Sequence, residues 1–333
     1  MNNNPIFNPI RKLIRLRILV ITVVLFILLS ILSPVFRGSN NILENILRPS
    51  ATIAIIALGM TFVLASRGLD LSVGSIAALS STLGVMVFYN LKLPIPLGIA
   101  VGIIIGALFG LFNAFFITKV RVAPFIVTIA TMSIGRGLTL VLAGNLFTYG
   151  LPNAFRDIGR GSILTIPTPF ILLLILWLIS LYLFNQTRLG RYTCTIGSNE
   201  QAVRVAGISV DRYKTIIYVY IGILSAISGL LFSARANMIA VTTGLGYELD
   251  AIAAVIIGGT TLAGGSGSIT GSVLGAILLT LLSNGLQLLG INTFIQRALV
   301  GVIIIVGLAY AAWHDEQEKK AARIHMAEKI QVT

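Results

Sequence analysis

Long apolar runs of about twenty residues, set apart by short polar stretches, organise this chain. They fall roughly at 18–36, 49–66, 72–90, 94–117, 124–143, 166–184, 213–236, 247–263, 268–290 and 294–312. Apolar and polar residues do not alternate within a run, which argues against strands. A run of about 20 residues is what a helix needs to cross a bilayer core. Inside hydrocarbon the backbone must satisfy its own polar groups, so helices are the answer when strand patterning is missing. The pattern predicts an all-α, polytopic membrane protein with about ten transmembrane helices over 18–312. A basic tail, 1–17, precedes them and a second tail, 313–333, follows.

Composition agrees. Of 333 residues, 56% are hydrophobic and 11% are charged, against about a quarter charged in soluble domains. The net charge of +13 would suit nucleic acid in a soluble protein. In a membrane protein it reflects Lys and Arg retained on the cytoplasmic side. With the N-terminus inside, sixteen Lys and Arg fall on the cytoplasmic side and five on the outer side. Three more, Arg136, Arg235 and Arg297, fall within spans. This bias predicts that both termini are cytoplasmic. It also makes 144–165 the largest outer loop and 185–213 the longest inner one. The first run lacks a small-residue cleavage site and reads as a span, not a removable signal. The single cysteine, Cys194, permits no internal disulfide, and the two histidines, His314 and His325, sit in the tail. No metal set and no cofactor bound by this chain are expected.

A faint internal repeat shapes the expected architecture. GALFGLFNAFFITKVRVAPFI (106–126) matches GAILLTLLSNGLQLLGINTFI (275–295) at the leading Gly-Ala, a central Asn and the closing Phe-Ile. GLDLSVGSIAA (68–78) loosely matches GYELDAIAA (246–254). An offset of five spans puts the copies in opposite topology, the inverted-repeat arrangement of many transporters.

Few ionisable groups lie near the membrane, and each is a functional suspect because burial there is costly. In RGLDLSVGS (67–75), Asp70 is such a group. It or Ser72 could instead cap the third span, with Arg67 near enough to pair. Gly74 and Ser75 allow a close helix approach. Arg136 is the charge deepest in a span. It faces either a watery passage or backbone carbonyls. Glu248 and Asp250 are placed at the outer start of the eighth span, where acids complement a helix N-terminus. The Gly-rich stretch 258–268 lacks the phosphate-loop lysine and reads as a tight turn. Asn113 and Asn284 add hydrogen-bonding groups within spans. The gating or substrate-path candidates are thus Asp70, Ser72, Gly74, Ser75, Asn113, Arg136 and Asn284.

The inner loop holds SNEQAVRVAGI (198–208), a compact polar helix by its punctuation. Ser198 with Gln201 fits a capping box, and Gly207 fits a helix stop.

GLDLSVGS, ELDAIAAVIIGGTTLAGGSGSITGSVLGA, NGLQLLGI and TRLGRYTCTIGSNEQAVRVAGI together resemble the permeases of ribose-type ABC sugar importers, a family that includes autoinducer-2 and other monosaccharide permeases. The resemblance runs from about residue 45 to 310. It implies a chain of the bacterial inner membrane that pairs with a second permease subunit. It also implies an ATP-hydrolysing partner on the inside and a sugar-binding protein outside. In that family the segment resembling 187–208 is the cytoplasmic coupling loop, which assigns Thr187, Gly190, Arg191, Gly197, Asn199, Glu200, Ala202, Arg204, Gly207 and Ile208 to ATPase coupling. Val203 stands where a second Ala is common, Ser198 where Gly is, and Arg67 where the family has a small residue.

Two other classes fit less well. An ion-coupled secondary transporter needs carboxylates or histidines inside its spans. A membrane enzyme needs a metal set, paired carboxylates or a nucleophile with its base. Neither is visible. The spans offer hydroxyls and amides, which suit a small neutral sugar.

Overall fold

The computed structural model describes residues 9–143, 149–292 and scattered positions between 295 and 306. The tail 313–333, Arg297, both histidines, positions 144–148 and most of the final expected span lie outside the described residues. The chain is mainly helical. In order, the helices are α1 (Pro9–Leu32), α2 (Arg48–Ala65), α3 (Val73–Tyr89), α4 (Ile95–Thr118), α5 (Pro124–Ala143), α6 (Asn153–Arg160), α7 (Thr168–Gln186), α8 (Arg188–Ser198), α9 (Glu200–Val205), α10 (Val210–Ala236), α11 (Tyr247–Ile257) and α12 (Ile269–Leu288). A π-helical turn, Asn41–Leu47, leads into α2, and a small hairpin (β1, Ser162–Ile163; β2, Ile166–Pro167) precedes α7.

Among the described residues, six helical stretches are long and apolar enough to cross a membrane: Asn41–Ala65, α4, α5, α7, α10 and α12. Ile18–Leu32 and α3 are apolar but shorter. The expected span 247–263 differs most. Only Tyr247–Ile257 is helical, about 17 Å at 1.5 Å per residue, well short of a bilayer core.

Burial explains the layering. α2 is apolar all round and almost every residue is buried, which makes it the central post. α10 packs on α2, α3 and α4, and α12 on α1, α2 and α11. α4 shows the opposite pattern. Most of its apolar residues are accessible, while Gly98, Gly102, Gly106 and Gly110 are buried. This four-residue period gives a flat stripe. Gly98 and Gly102 meet α3, and Gly106 and Gly110 meet the α10 backbone at Tyr218 and Gly222. Membrane helices pack through such small residues because lipid supplies no hydrophobic drive between them.

Two segments break the simple up-and-down order. After α2 the chain runs non-helically through 66–72 before α3; after α10 it runs through 237–246 before α11. The first turns of α3 and α11 then meet, because Gly74 lies against the Gly244 backbone and the Glu248 carboxylate. The paired sequences 68–78 and 246–254 therefore touch inside the bundle.

Candidate functional site

Three places gather the chemistry. The first is the crossing of α3 and α11. Asp70 is fully buried. Its Oδ1 accepts hydrogen bonds from the Ser72 backbone N–H and the Ser72 hydroxyl. This is a local Asx-type turn, so Asp70 holds the turn before α3. Ser72 takes the N-cap position, with no side-chain cap bond. The chain of bonds continues across helices. Asn113 Nδ2 donates to Ser72 Oγ at 2.9 Å, and Thr131 Oγ1 donates to Asn113 Oδ1 at 2.6 Å. Tyr218 Oη closes the turn from α10 by donating to the Leu69 carbonyl at 3.2 Å. Asp70 thus ties α3, α4 and α5 together. No ion pair forms between Asp70 and Arg67, which is exposed.

Ser75 packs against Gly135 of α5. One residue on, Arg136 donates to the carbonyls of Val241 at 3.1 Å and Thr243 at 2.8 Å. The second of the two readings of Arg136 is therefore the observed one. Glu248 is also within its electrostatic reach. Sequence reasoning put Glu248 at the N-terminus of a helix or, alternatively, on a surface that meets a partner. The structure places it in the first turn of α11, with its carboxylate half-buried against the first turn of α3. The arrangement puts a carboxylate at a helix N-terminus, where it is favoured.

The second place is the helical pair α8–α9. Thr187 caps α8 by accepting from the Leu189 N–H at 3.1 Å. The expected Ser198–Gln201 capping box does not form. Ser198 is the last residue of α8 and donates to the Cys194 carbonyl. Asn199, in extended conformation, caps α9 instead and accepts from the Ala202 N–H at 2.9 Å. The helix stops as the sequence indicates. Ile208 N–H bonds the Val203 carbonyl and Gly207 N–H bonds the Arg204 carbonyl, with Gly207 at φ +78°. This is a Schellman motif, and only glycine takes its left-handed position freely.

Charges lock the pair to α10. Arg204 reaches Glu200 at 2.9 Å and Asp211 at 2.8 Å, and Lys214 reaches Glu200 at 2.7 Å. Partial burial works against ionising Glu200, but the bonds from Lys214 and Arg204 outweigh it and hold the carboxyl below its usual range. Hydrogen bonds to Asp211 and Glu200 raise the Arg204 guanidinium further. Beneath lies a small core of Ile196, Val203 and Val210, flanked by Tyr192, Ile208 and Tyr213. Gly190 presses on the Phe184 backbone at the end of α7. Gly197 presses on the Ala65 carbonyl and on Gly265, and Gly265 N–H also bonds the Ala65 carbonyl at 2.9 Å. The Gly-rich turn 258–268 is therefore a seat joining α8 to the ends of α2 and α11. Arg191 and Ala202 are exposed.

The third place holds Asn284. It is separate from the Asp70 group and exchanges two hydrogen bonds with Asn41, at 2.8 and 3.1 Å. Among the described residues no cluster of His, Cys, Asp or Glu could hold a metal ion.

Residues 42–308 match the family described as the branched-chain amino acid transport system / permease component. The ribose import permease protein RbsC of Bacillus subtilis is 45% identical over 287 residues, covering 86% of this chain and 88% of that one. The protein of the same name from Haemophilus influenzae is 38% identical over 302 residues, 90% of this chain and 93% of that one. The L-arabinose transport system permease protein AraH of Escherichia coli is 36% identical over 305 residues, 92% and 91%. No solved structure matches. With its polytopic helical bundle, the chain belongs to this family of membrane permease components.

Proposed function

We propose that this chain is the membrane-spanning subunit of an ATP-binding-cassette importer that passes a small neutral sugar, ribose or a similar monosaccharide, inward. The kinship with ribose and arabinose permeases over about nine tenths of the chain supports the substrate class. The observation that carries the mechanism is the seating of α8–α9. A loop that merely connects helices needs no caps, no ion-pair lock and no backbone contact with two other turns. This one has all three. Thr187, Gly190, Arg191, Gly197, Asn199, Glu200, Ala202, Arg204, Gly207 and Ile208 then form the coupling element. It docks on a separate ATPase, which hydrolyses the ATP.

The seat gives the push a direction. Gly197 and Gly265 press on the end of α2, which leads through Asp70 into α3, and on the turn that follows α11. A rigid displacement of α8 therefore reaches both broken elements, which meet where Gly74 packs on Gly244 and Glu248. Rigid elements with two discrete arrangements are what transmit such motion. In this reading the chain crosses the bacterial inner membrane several times, both termini are cytoplasmic and α6 faces outward. A second permease subunit completes the passage, and an external binding protein delivers the sugar.

The test is ATP hydrolysis by the complex reconstituted in vesicles with its ATPase and binding protein. It is run against pentoses, hexoses, autoinducer-2-type furanoses and amino acids. Stimulation by a neutral monosaccharide is expected. Stimulation by a charged amino acid alone would overturn the sugar reading and move the chain toward amino-acid transport.

A further inference from the structure

A cavity of about 330 Å³ lies between the π-helical turn Asn41–Leu47, the first turns of α2, and helices α10, α11 and α12. Small-molecule sites span about 300–1,000 Å³, so it suits a compact ligand. Its polar lining includes Asn45, Arg235, Asp250, Ser283, Asn284 and Gln287. It occupies the half of α12 away from α8–α9, in a stretch otherwise made of apolar helix. Polar side chains at such a level need a watery passage or each other. Part of the lining is held in place. Asn41 accepts from both Asn284 and Asn45, at 3.1 and 3.0 Å, and itself donates to Asn284. The amides of Asn45 and Asn284 are therefore preset before any ligand arrives.

The π-helical turn is a second, independent sign. Such turns are rare and gather at functional sites, because the extra residue re-aims side chains at the cost of helix geometry. Here it brings Asn45 to the wall of the cavity and sets Asn41 behind it, bonded to both Asn45 and Asn284.

We propose that this cavity is a subsite for a neutral monosaccharide on its way through the permease; the assignment rests on the importer reading above. The lining selects for that chemistry. Amides and hydroxyls both donate and accept, which matches vicinal sugar hydroxyls. Arg235 and Asp250 contribute one charge of each sign. The two leave the lining with no net charge to favour an anion or a cation, and a polyol can bond to both groups. The small number of preset contacts suits a site that a solute must leave again.

The experiment uses the whole complex in vesicles with its binding protein and labelled D-ribose. Cys194→Ser removes the native thiol, and Ser283→Cys places one in the cavity wall. Uptake is compared before and after reaction with a bulky, charged thiol reagent in the same preparation. Reaction is expected to lower uptake about tenfold or more, and ribose with its binding protein is expected to slow the reaction. Separately, Gln287→Leu removes a bonding group without adding much bulk. It is expected to lower the uptake rate about tenfold, the scale of one lost hydrogen bond, with the ATPase still co-purifying. Unchanged uptake by both the thiol-modified Ser283→Cys complex and the Gln287→Leu complex overturns the subsite. Failure of the unmodified wild-type complex to import any neutral sugar overturns instead the importer reading beneath it.

Discussion

At the residue scale, the chain shows where local rules suffice and where they stop. Gly207 was legible as a helix stop because the Schellman geometry is local and demands one residue type. The start of the same helix was misread by one position. Ser198 and Asn199 both fit a cap, and the choice depends on α8 running as far as Ser198, whose hydroxyl bonds back to the Cys194 carbonyl. Arg136 and Glu248 were out of reach for another reason. They lie 112 positions apart, on α5 and α11, and both are placed by 237–246, whose Val241 and Thr243 carbonyls hold Arg136 and whose Gly244 packs on Gly74 beside Glu248. Gly207 yields a sharp test, since no heavy atom lies near where its Cβ would stand. Any loss on substitution there is a backbone effect. A left-handed residue costs about 1–2 kcal/mol for most side chains, and Asn tolerates it better than a β-branched residue does. Gly207→Val should therefore expose 198–208 to limited proteolysis and weaken co-purification of the ATPase, while Gly207→Asn stays near wild type. Equal behaviour of the two would show that the Schellman stop is not what orders this loop.

At the element scale, hydropathy placed most of the long helices, because a run of apolar residues is visible without any tertiary knowledge. It could not show which faces pack. α4 has no amphipathic stripe to read, since lipid and protein neighbours are both apolar. Its contact face is marked by size instead, in Gly98, Gly102, Gly106 and Gly110. Hydropathy also overran α11, whose apolar sequence continues past the helix into the turn that begins at Gly258. The glycine stripe carries a paired prediction. A Cβ on Gly106 would meet the Gly222 carbonyl and the Ala226 side chain, whereas one on Gly137 in α5 meets nothing within 4 Å. Gly106→Ala should overpack the α4–α10 contact and cost about 1–3 kcal/mol. Gly137→Ala should be neutral or gain up to about 1 kcal/mol of helix propensity. Melting temperatures in detergent distinguish them. A Gly106→Ala protein as stable as wild type would mean that α4 and α10 do not pack through this stripe.

At the scale of the whole molecule, the arrangement has two ends with different work to do. α10 spans between them. Its start is bonded to α9 through Asp211 and Lys214, and its end packs on α6, where Gly159 meets the backbone at Ala234 and Arg235. The sequence reading assigns sixteen of the basic residues to the cytoplasmic side, those of the α8–α9 loop among them, and on the rule that Lys and Arg are retained there this end is expected inside. The importer reading needs the same orientation, because ATP is available only there. The two arguments are independent, one resting on charge and the other on the seat of α8, so a direct measurement of sidedness tests both together. Asn153 at the start of α6 and Ser198 at the end of α8 are both exposed. With Cys194→Ser as background, single cysteines at these positions are treated in intact cells with a membrane-impermeant thiol reagent. Asn153→Cys should label readily, and Ser198→Cys should label only after the membrane is opened. The reverse result would place α8–α9 outside, where no ATPase could engage it. The caps, the ion pairs and the Gly265 seat would then have to serve a partner on the outer face.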